Sequence, residues 1–268
     1  MPNNKLNVLI TRPAIEGRVL ANTLKKMGAH THCQPMFDYQ LNNTPENLSH
    51  LFSQVKHPIF IFISVASVTH ANSILPINTW PVSKIIAVGS ATSKALNALN
   101  INTITPTLHT SEGVLSLADL KSVDGQDVVI VRGDGGREHL AESLKSRKAI
   151  VYYFESYRRI WRQINSDVVQ FWRSNNVNCI VITSDALLQS VVQLINLSDS
   201  HVDNHSNSYW FTTCCWVVAS ERIAQNAKSI GLLNVVNANG ASDKAISAAI
   251  STVITSDVII NTEEDDDR

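Results

Sequence analysis

The sequence predicts an α/β protein made of two similar parallel-sheet α/β domains joined by a two-stranded extended connector. Three observations carry this. Short Val/Ile-rich runs recur with little internal alternation, the pattern of strands covered on both faces in a parallel sheet. Each run passes through a turn of small and hydroxyl residues into an amphipathic helix, and strand alternating with helix is the mark of an α/β architecture. Two units, KIIAVGSATSKALNALNINTI and CWVVASERIAQNAKSIGLLNVV, share the order strand, small residue, helix, short loop, strand, as duplicated halves do.

Taken in order, the first strand covers residues 7–10 and turns at Thr11-Arg12-Pro13 into a helix ending near Met27-Gly28. Strands over 58–63 and 84–88 turn at Ser64 to Ser67 and at Gly89-Ser90, the latter into a helix over 91–99. A strand over 127–131 turns at Arg132-Gly133-Asp134-Gly135-Gly136 into a helix over 137–146. Residues 179–182 with Thr183-Ser184, and 216–219 with Ser220, supply two further units. Segments 35–39 and 151–159 break the rhythm: both are extended, aromatic and partly polar. Side by side they let the chain leave one domain, build the other and return. The expected division is a discontinuous first domain over 1–36 and 161–260, a second over 37–160, and a disordered acidic tail over 261–268. Residues 198–208 read as a polar loop.

With 44% hydrophobic and 17% charged residues, the chain has the composition of a globular protein and not of a disordered one. A net charge of −1 leaves no footprint for nucleic acid or for an anionic membrane, so an anionic ligand has to be held by local groups. The N-terminal apolar stretch is too short for a secretory signal, and no run approaches the roughly 20 residues that cross a bilayer. Cys33, Cys179, Cys214 and Cys215 form no CxxC pair and are expected to be buried reduced thiols, which places the chain in the cytoplasm. No large apolar interface is evident, and a monomer is expected.

The motif RGDGGRE at 132–138 lacks the last glycine of GxGxxG and the Gly-Lys-Ser/Thr ending of a P-loop, which disfavours a nucleotide. Its glycines permit a tight turn whose N–H groups favour an anion, or serve as a structural turn alone. Hydroxyl clusters Ser64/Ser67, Ser90/Thr92, Thr110/Ser111, Thr183/Ser184 and Ser220 each stand at a strand-to-helix junction. Singly, each is an N-cap. Together, at the C-terminal strand ends where open α/β sheets bind ligands, they form a set of neutral donors suited to many carboxylates. No His/Cys/Glu set has metal-ligand spacing, all nine histidines read as surface or incidental, and no GxSxG elbow is present. Neither metal nor cofactor is expected.

The ordered set Val8-Leu9-Ile10-Thr11-Arg12-Pro13, Phe62-Ile63-Ser64-Val65-Ala66-Ser67-Val68, Ala87-Val88-Gly89-Ser90-Ala91-Thr92, Ser111-Glu112-Gly113-Val114-Leu115, Val131-Arg132-Gly133-Asp134-Gly135-Gly136-Arg137-Glu138, Tyr157-Arg158-Arg159, Thr183-Ser184 and Val218-Ala219-Ser220-Glu221-Arg222-Ile223-Ala224 resembles the uroporphyrinogen-III synthases across almost the whole chain. Each motif alone is weak; the order is specific. Many members carry Thr where Ile223 stands, so that hydroxyl is not carried over. The 198–210 loop is longer than the family pattern.

The resemblance implies a lyase of porphyrin and haem biosynthesis with two α/β domains and a two-stranded connector. Its substrate is hydroxymethylbilane. The substrate loses its terminal hydroxyl, the azafulvene is attacked at the substituted carbon of the last ring, and a spiro intermediate reopens with that ring inverted. The matching positions imply substrate contacts at Thr11, Arg12, Ser64, Ser67, Gly89, Ser90, Thr92, Arg132, Gly133, Gly136, Arg137, Thr183, Ser184 and Ser220, and a proton or hydrogen-bond donor at Tyr157. Eight substrate carboxylates suit amides and hydroxyls at strand ends, without a metal. The rival readings are a non-enzymatic two-domain module closing on a small anion and a nucleotide-dependent transferase.

Overall fold

The computed structural model describes residues 6–135, 138–198 and 208–263, the side chains of 255–263 excepted. Contacts divide the chain into two units, Met1–Asp38 with Trp161–Arg268, and Tyr39–Ile160.

In the first unit β1 (Asn7–Ile10) lies between β2 (His30–Cys33) and β8 (Cys179–Ile182); β9 (Cys215–Val218) and β10 (Val235–Asn237) extend the sheet. The order is β10-β9-β8-β1-β2 and every pairing is parallel. Parallel neighbours require a crossover, supplied here by α1 (Ala14–Lys26), by α8 (Asp185–Ser198) with α9 (Ser208–Thr212), and by α10 (Glu221–Ser229). Helix α1 buries Gly17, Leu20, Ala21 and Leu24, a spacing of three and four that makes one apolar stripe. Leu20 and Leu24 pack on Val8, Ile10, Cys179 and Val181, together with Ile246 and Ile250 of α11 (Asp243–Glu263). Near α7 (Val168–Ser174), the Trp216 indole N–H donates to the Trp210 carbonyl at 2.8 Å, pairing a polar group that burial would otherwise strand.

In the second unit β4 (Ile59–Phe62), β5 (Lys84–Ala87), β6 (Asp127–Gly133) and β7 (Ile150–Trp161) pair in parallel in the order β7-β6-β4-β5, and β3 (Phe37–Leu41) flanks β7. The β3 partner runs the opposite way: the Asn42 N–H donates to Ser156, and the Arg162 N–H donates to Met36. The run IFIF of β4 is apolar throughout because both faces are covered. Phe60 and Phe62 join Val129, Val131, Phe154 and Trp80 in a cluster with α2 (Pro45–Gln54) and α3 (Val65–Ile74). Ile59 and Ile61 join Val128, Ile130, Leu140 and Leu144 in a second, built with α5 (Ser111–Ser116) and α6 (His139–Ser146).

The two sheets repeat one plan. The pairs β1/β2 and β6/β7 each set a residue beside one twenty-three positions later, Asn7 beside His30 and Asp127 beside Ile150. At the other edge β9-α10-β10 matches β5, α4 (Ser90–Asn97) and the parallel bridge of Ile86 to Ile104, the two segments that look alike in sequence.

Several details differ from expectation. Strand β6 continues through Arg132 and Gly133, so these belong to the sheet, and α6 starts two residues later than expected. Cys33 is exposed on the edge strand β2, where a short strand leaves its side chain uncovered; Cys179 and Cys214 are buried and Cys215 half-buried. Helix α11 runs on through 261–263, and the rest of the acidic tail, 264–268, lies outside the described residues, as does 199–207 of the polar loop.

Candidate active site

Open parallel sheets place their functional groups where strands end and helices begin. In the second unit, Ser64 lies between β4 and α3 with φ −158° and ψ 163°. Its Oγ accepts from the Ser67 N–H (3.0 Å) while the Ser64 N–H donates to Ser67 Oγ (3.1 Å), a reciprocal cap. Ser67 also donates to the Ser64 carbonyl (2.7 Å), which commits its buried hydroxyl; Ser64 keeps its proton.

The end of β5 is built otherwise. Gly89 stands at the N-cap of α4 and supplies no side-chain cap, so the leading N–H groups of that helix lack one; the His109 side chain lies beside Gly89. Ser90 is exposed and Thr92 buried. Beside them, Thr110 accepts from the Gly113 N–H (3.2 Å) and caps α5. A cavity of about 290 Å³ lies here, walled by Ile63, Val88 and Ile130 and carrying Thr110, Ser111 and Arg132.

Arg132 is not a free cation. Its Nη1 donates to Glu138 (3.0 Å), Nε and Nη2 donate to Glu155 (3.3 and 3.2 Å), and its guanidinium lies 3.8 Å from the Tyr153 ring centre. Burial alone lowers its pKa; the two carboxylates outweigh that and raise it. The Tyr153 hydroxyl donates to Glu138, which holds that carboxyl below its usual range with help from Arg132. Tyr153 itself is pushed up to about 12, by burial first and then by Glu138. Glu155 also accepts from the Gly135 N–H (3.3 Å), so this network holds the glycine turn in place. Gly136 and Arg137 lie outside the described residues.

Tyr157 is on the other side of the sheet. Strict alternation along β7 would put 153, 155 and 157 on one face with Arg132. The register shifts between Arg132 and Gly133, so that Gly133 pairs with Tyr157 and one residue is bulged. The phenol is thereby turned to the α3 side, 3% exposed, against Tyr39 and His70. A Cβ on Gly133 would meet the Tyr157 ring at 2.5 Å, so only glycine lets the ring lie there. Among the described residues the Tyr157 hydroxyl makes no hydrogen bond, and the bulged Ser156 donates to the Ser67 (3.3 Å) and Arg132 (3.2 Å) carbonyls, tying the bulge down.

In the first unit, Thr11 is fully buried and donates to the Val181 carbonyl (2.8 Å). Arg12, 7% exposed, is held by the Asp243 carboxylate and the Ala241 carbonyl at the start of α11. Thr183 and Ser184 follow β8, and Ser184 accepts from the Leu187 N–H (3.3 Å); Ser220 follows β9 and accepts from the Ile223 N–H (3.4 Å). The structure therefore groups Arg132 with Thr110 and Ser111, and separates them from Tyr157. Sequence reasoning missed Tyr39 and His70 as neighbours of Tyr157: no local signal joins three residues from β3, α3 and β7, and His70 is half-buried, not incidental surface. Among the described residues, no group of three or more His, Cys, Asp or Glu is placed to hold a metal, and no helix is long and apolar enough to cross a membrane.

A family model described as uroporphyrinogen-III synthase HemD matches residues 18–248. The uroporphyrinogen-III synthase of Salmonella typhimurium is 28% identical over 252 residues, covering 91% of this chain and 100% of that protein. That of Escherichia coli is 26% identical with the same coverage. Among solved structures, a mutant uroporphyrinogen III synthase from the extremely thermophilic bacterium Thermus thermophilus is 11% identical with a TM-score of 0.59, covering 94% of this chain and 99% of that one. The Helicobacter pylori uroporphyrinogen-III synthetase is 10% identical with a TM-score of 0.55, covering 92% and 99%. At those identities the two structures speak for the fold.

Proposed function

We infer how this site works from one premise: the chain belongs to the uroporphyrinogen-III synthase family. It is a hydro-lyase that closes hydroxymethylbilane into uroporphyrinogen III, inverting the last pyrrole ring and releasing water. Left alone, the bilane closes without inversion, so the protein's task is to hold a flexible anion for attack at the crowded carbon.

Tyr157 is the proton donor in this reading, and the observation that carries it is its buried phenol without a hydrogen bond among the described residues. A phenolic hydroxyl carries one O–H that can donate. The Tyr157 proton goes to the departing hydroxyl, which leaves as water while the pyrrole nitrogen supplies the electron pair. The phenolate recovers a proton when the closed ring loses its α-hydrogen, so donor and substrate balance over one turnover.

The hydroxyls sort by what they have left to give. Ser64, Ser184 and Ser220 accept from backbone N–H groups and keep a hydroxyl proton for a substrate carboxylate. Gly89, Ser90 and Thr92 offer the uncapped amides of α4, where an anion also gains from the helix dipole. Thr11 and Ser67 have spent their hydroxyl protons inside the protein, and Arg12 and Arg132 have committed part of their guanidinium donors there, so these four serve first as framework. Thr183 and Gly133 shape the ends of β8 and β6.

The test supplies hydroxymethylbilane to chelator-treated protein without nucleotide and resolves type I and type III products by chromatography. Type III is expected; folded protein yielding only type I overturns the reading. Tyr157→Phe is expected to keep the fold and to lower turnover by roughly ten- to a thousandfold, the range of one positioned proton donor.

A further inference from the structure

Tyr157, Tyr39 and His70 form a closed set of rings. Tyr39 meets Tyr157 edge-on at 4.8 Å between centres, His70 meets Tyr157 at 5.1 Å with a tilt of 42°, and Tyr39 meets His70 at 5.1 Å. Gly133 lies against the Tyr157 ring as well. With no hydrogen-bond partner for its oxygen among the described residues, the phenol is aimed by the walls around its ring. The walls differ in firmness. Gly133 is backbone of a central strand. His70 is a side chain, but its Nδ1 is 2.8 Å from the Ala66 carbonyl one turn back on α3. That contact requires a hydrogen on Nδ1, which sets the ring tautomer and pins the ring plane.

We propose that His70 is the positioning residue for Tyr157: pinned to α3, its ring is the wall that fixes where the phenol points during hydroxyl departure. The proposal rests on the reading of Tyr157 as proton donor. It assigns His70 no proton transfer, only the shape of the cage. Removing the ring leaves a gap beside Tyr157 that the phenol can lean into, and misplacing a reacting group by about 1 Å costs on the order of a hundredfold.

The experiment uses His70→Ala, His70→Phe and Tyr157→Phe in the full chain, with kcat, KM and melting temperature measured for each. His70→Ala is expected to lower kcat about ten- to a hundredfold with KM within about twofold. His70→Phe restores the ring wall without the imidazole nitrogens and is expected to recover kcat to within about threefold, and a melting temperature of His70→Ala near the parent's separates lost positioning from a general loss of fold. With Tyr157→Phe already in place, His70→Ala is expected to add no further loss, because coupled residues are not additive. Unchanged kcat in His70→Ala, a change confined to KM, failure of His70→Phe to recover, or additive losses in the double variant would each overturn the proposal. Full turnover in Tyr157→Phe by itself would instead overturn the donor reading.

Discussion

Gly133→Ala tests the geometry at its tightest point. The added methyl lies 2.5 Å from both Cε2 and Cζ of Tyr157 and 2.9 Å from its oxygen. Carbon atoms need about 3.5–4.0 Å, so the ring must shift by about 1 Å or the strands must part. Gly133 is not among the residues at positive φ, so alanine is not strained by its own backbone and the effect is that of the clash. The ring cannot retreat freely, since Tyr39 and His70 occupy its other sides. Overpacking of this size costs about 1–3 kcal/mol of stability. A donor displaced by about 1 Å loses on the order of a hundredfold in turnover. The assay is type III formation under saturating hydroxymethylbilane, with thermal unfolding measured alongside. A variant with parent kcat and parent melting temperature would refute both the close approach and the role given to Tyr157.

Arg12→Met is expected to lower the stability of the first unit by about 2 kcal/mol, the scale of hydrogen bonds to a charged group, while kcat and KM of the remaining folded protein stay close to the parent's; a selective rise in KM would return Arg12 to substrate binding. Glu138 has a folded pKa below its unfolded value of about 4.3, so its contribution is present above that pH and is lost as pH falls through the folded value. Glu138→Gln is therefore expected to flatten the acid limb of a stability–pH profile, and an unaltered limb counts against the network. Tyr153 has the opposite sign: its folded pKa of about 12 lies above the unfolded value near 10, so stability present below pH 10 is lost as pH rises between them. Tyr153→Phe is expected to remove that alkaline loss in urea titrations at pH 9 to 11.

The expected strands over 7–10, 127–131, 179–182 and 216–219 reappear as β1, β6, β8 and β9 within a residue or two. Their signal is local, because a strand buried on both faces must be apolar at every position. The hydroxyls at Ser64, Ser184 and Ser220 were legible for the same reason, since each caps a helix only three residues away. The resemblance between the 84–104 and 215–236 segments was visible too, and both prove to form matching edges of their sheets.

What each hydroxyl or cation has left to offer a ligand depended on partners far along the chain. Arg12 acquires Asp243 and Ala241 as partners only in the fold, and Arg132 acquires Glu155 and Tyr153 only once β7 is set beside it. The side of the sheet that Tyr157 faces was decided by one bulged residue in the β6/β7 register, and a shift of one residue moves a side chain to the opposite face. By itself, the sequence determined the elements, their caps and the repeated plan, because these arise from contacts within a few residues. Tertiary structure alone decided which charges are already neutralised and which rings surround the phenol, because strand register and helix packing select those neighbours and neither is encoded in any short stretch of chain.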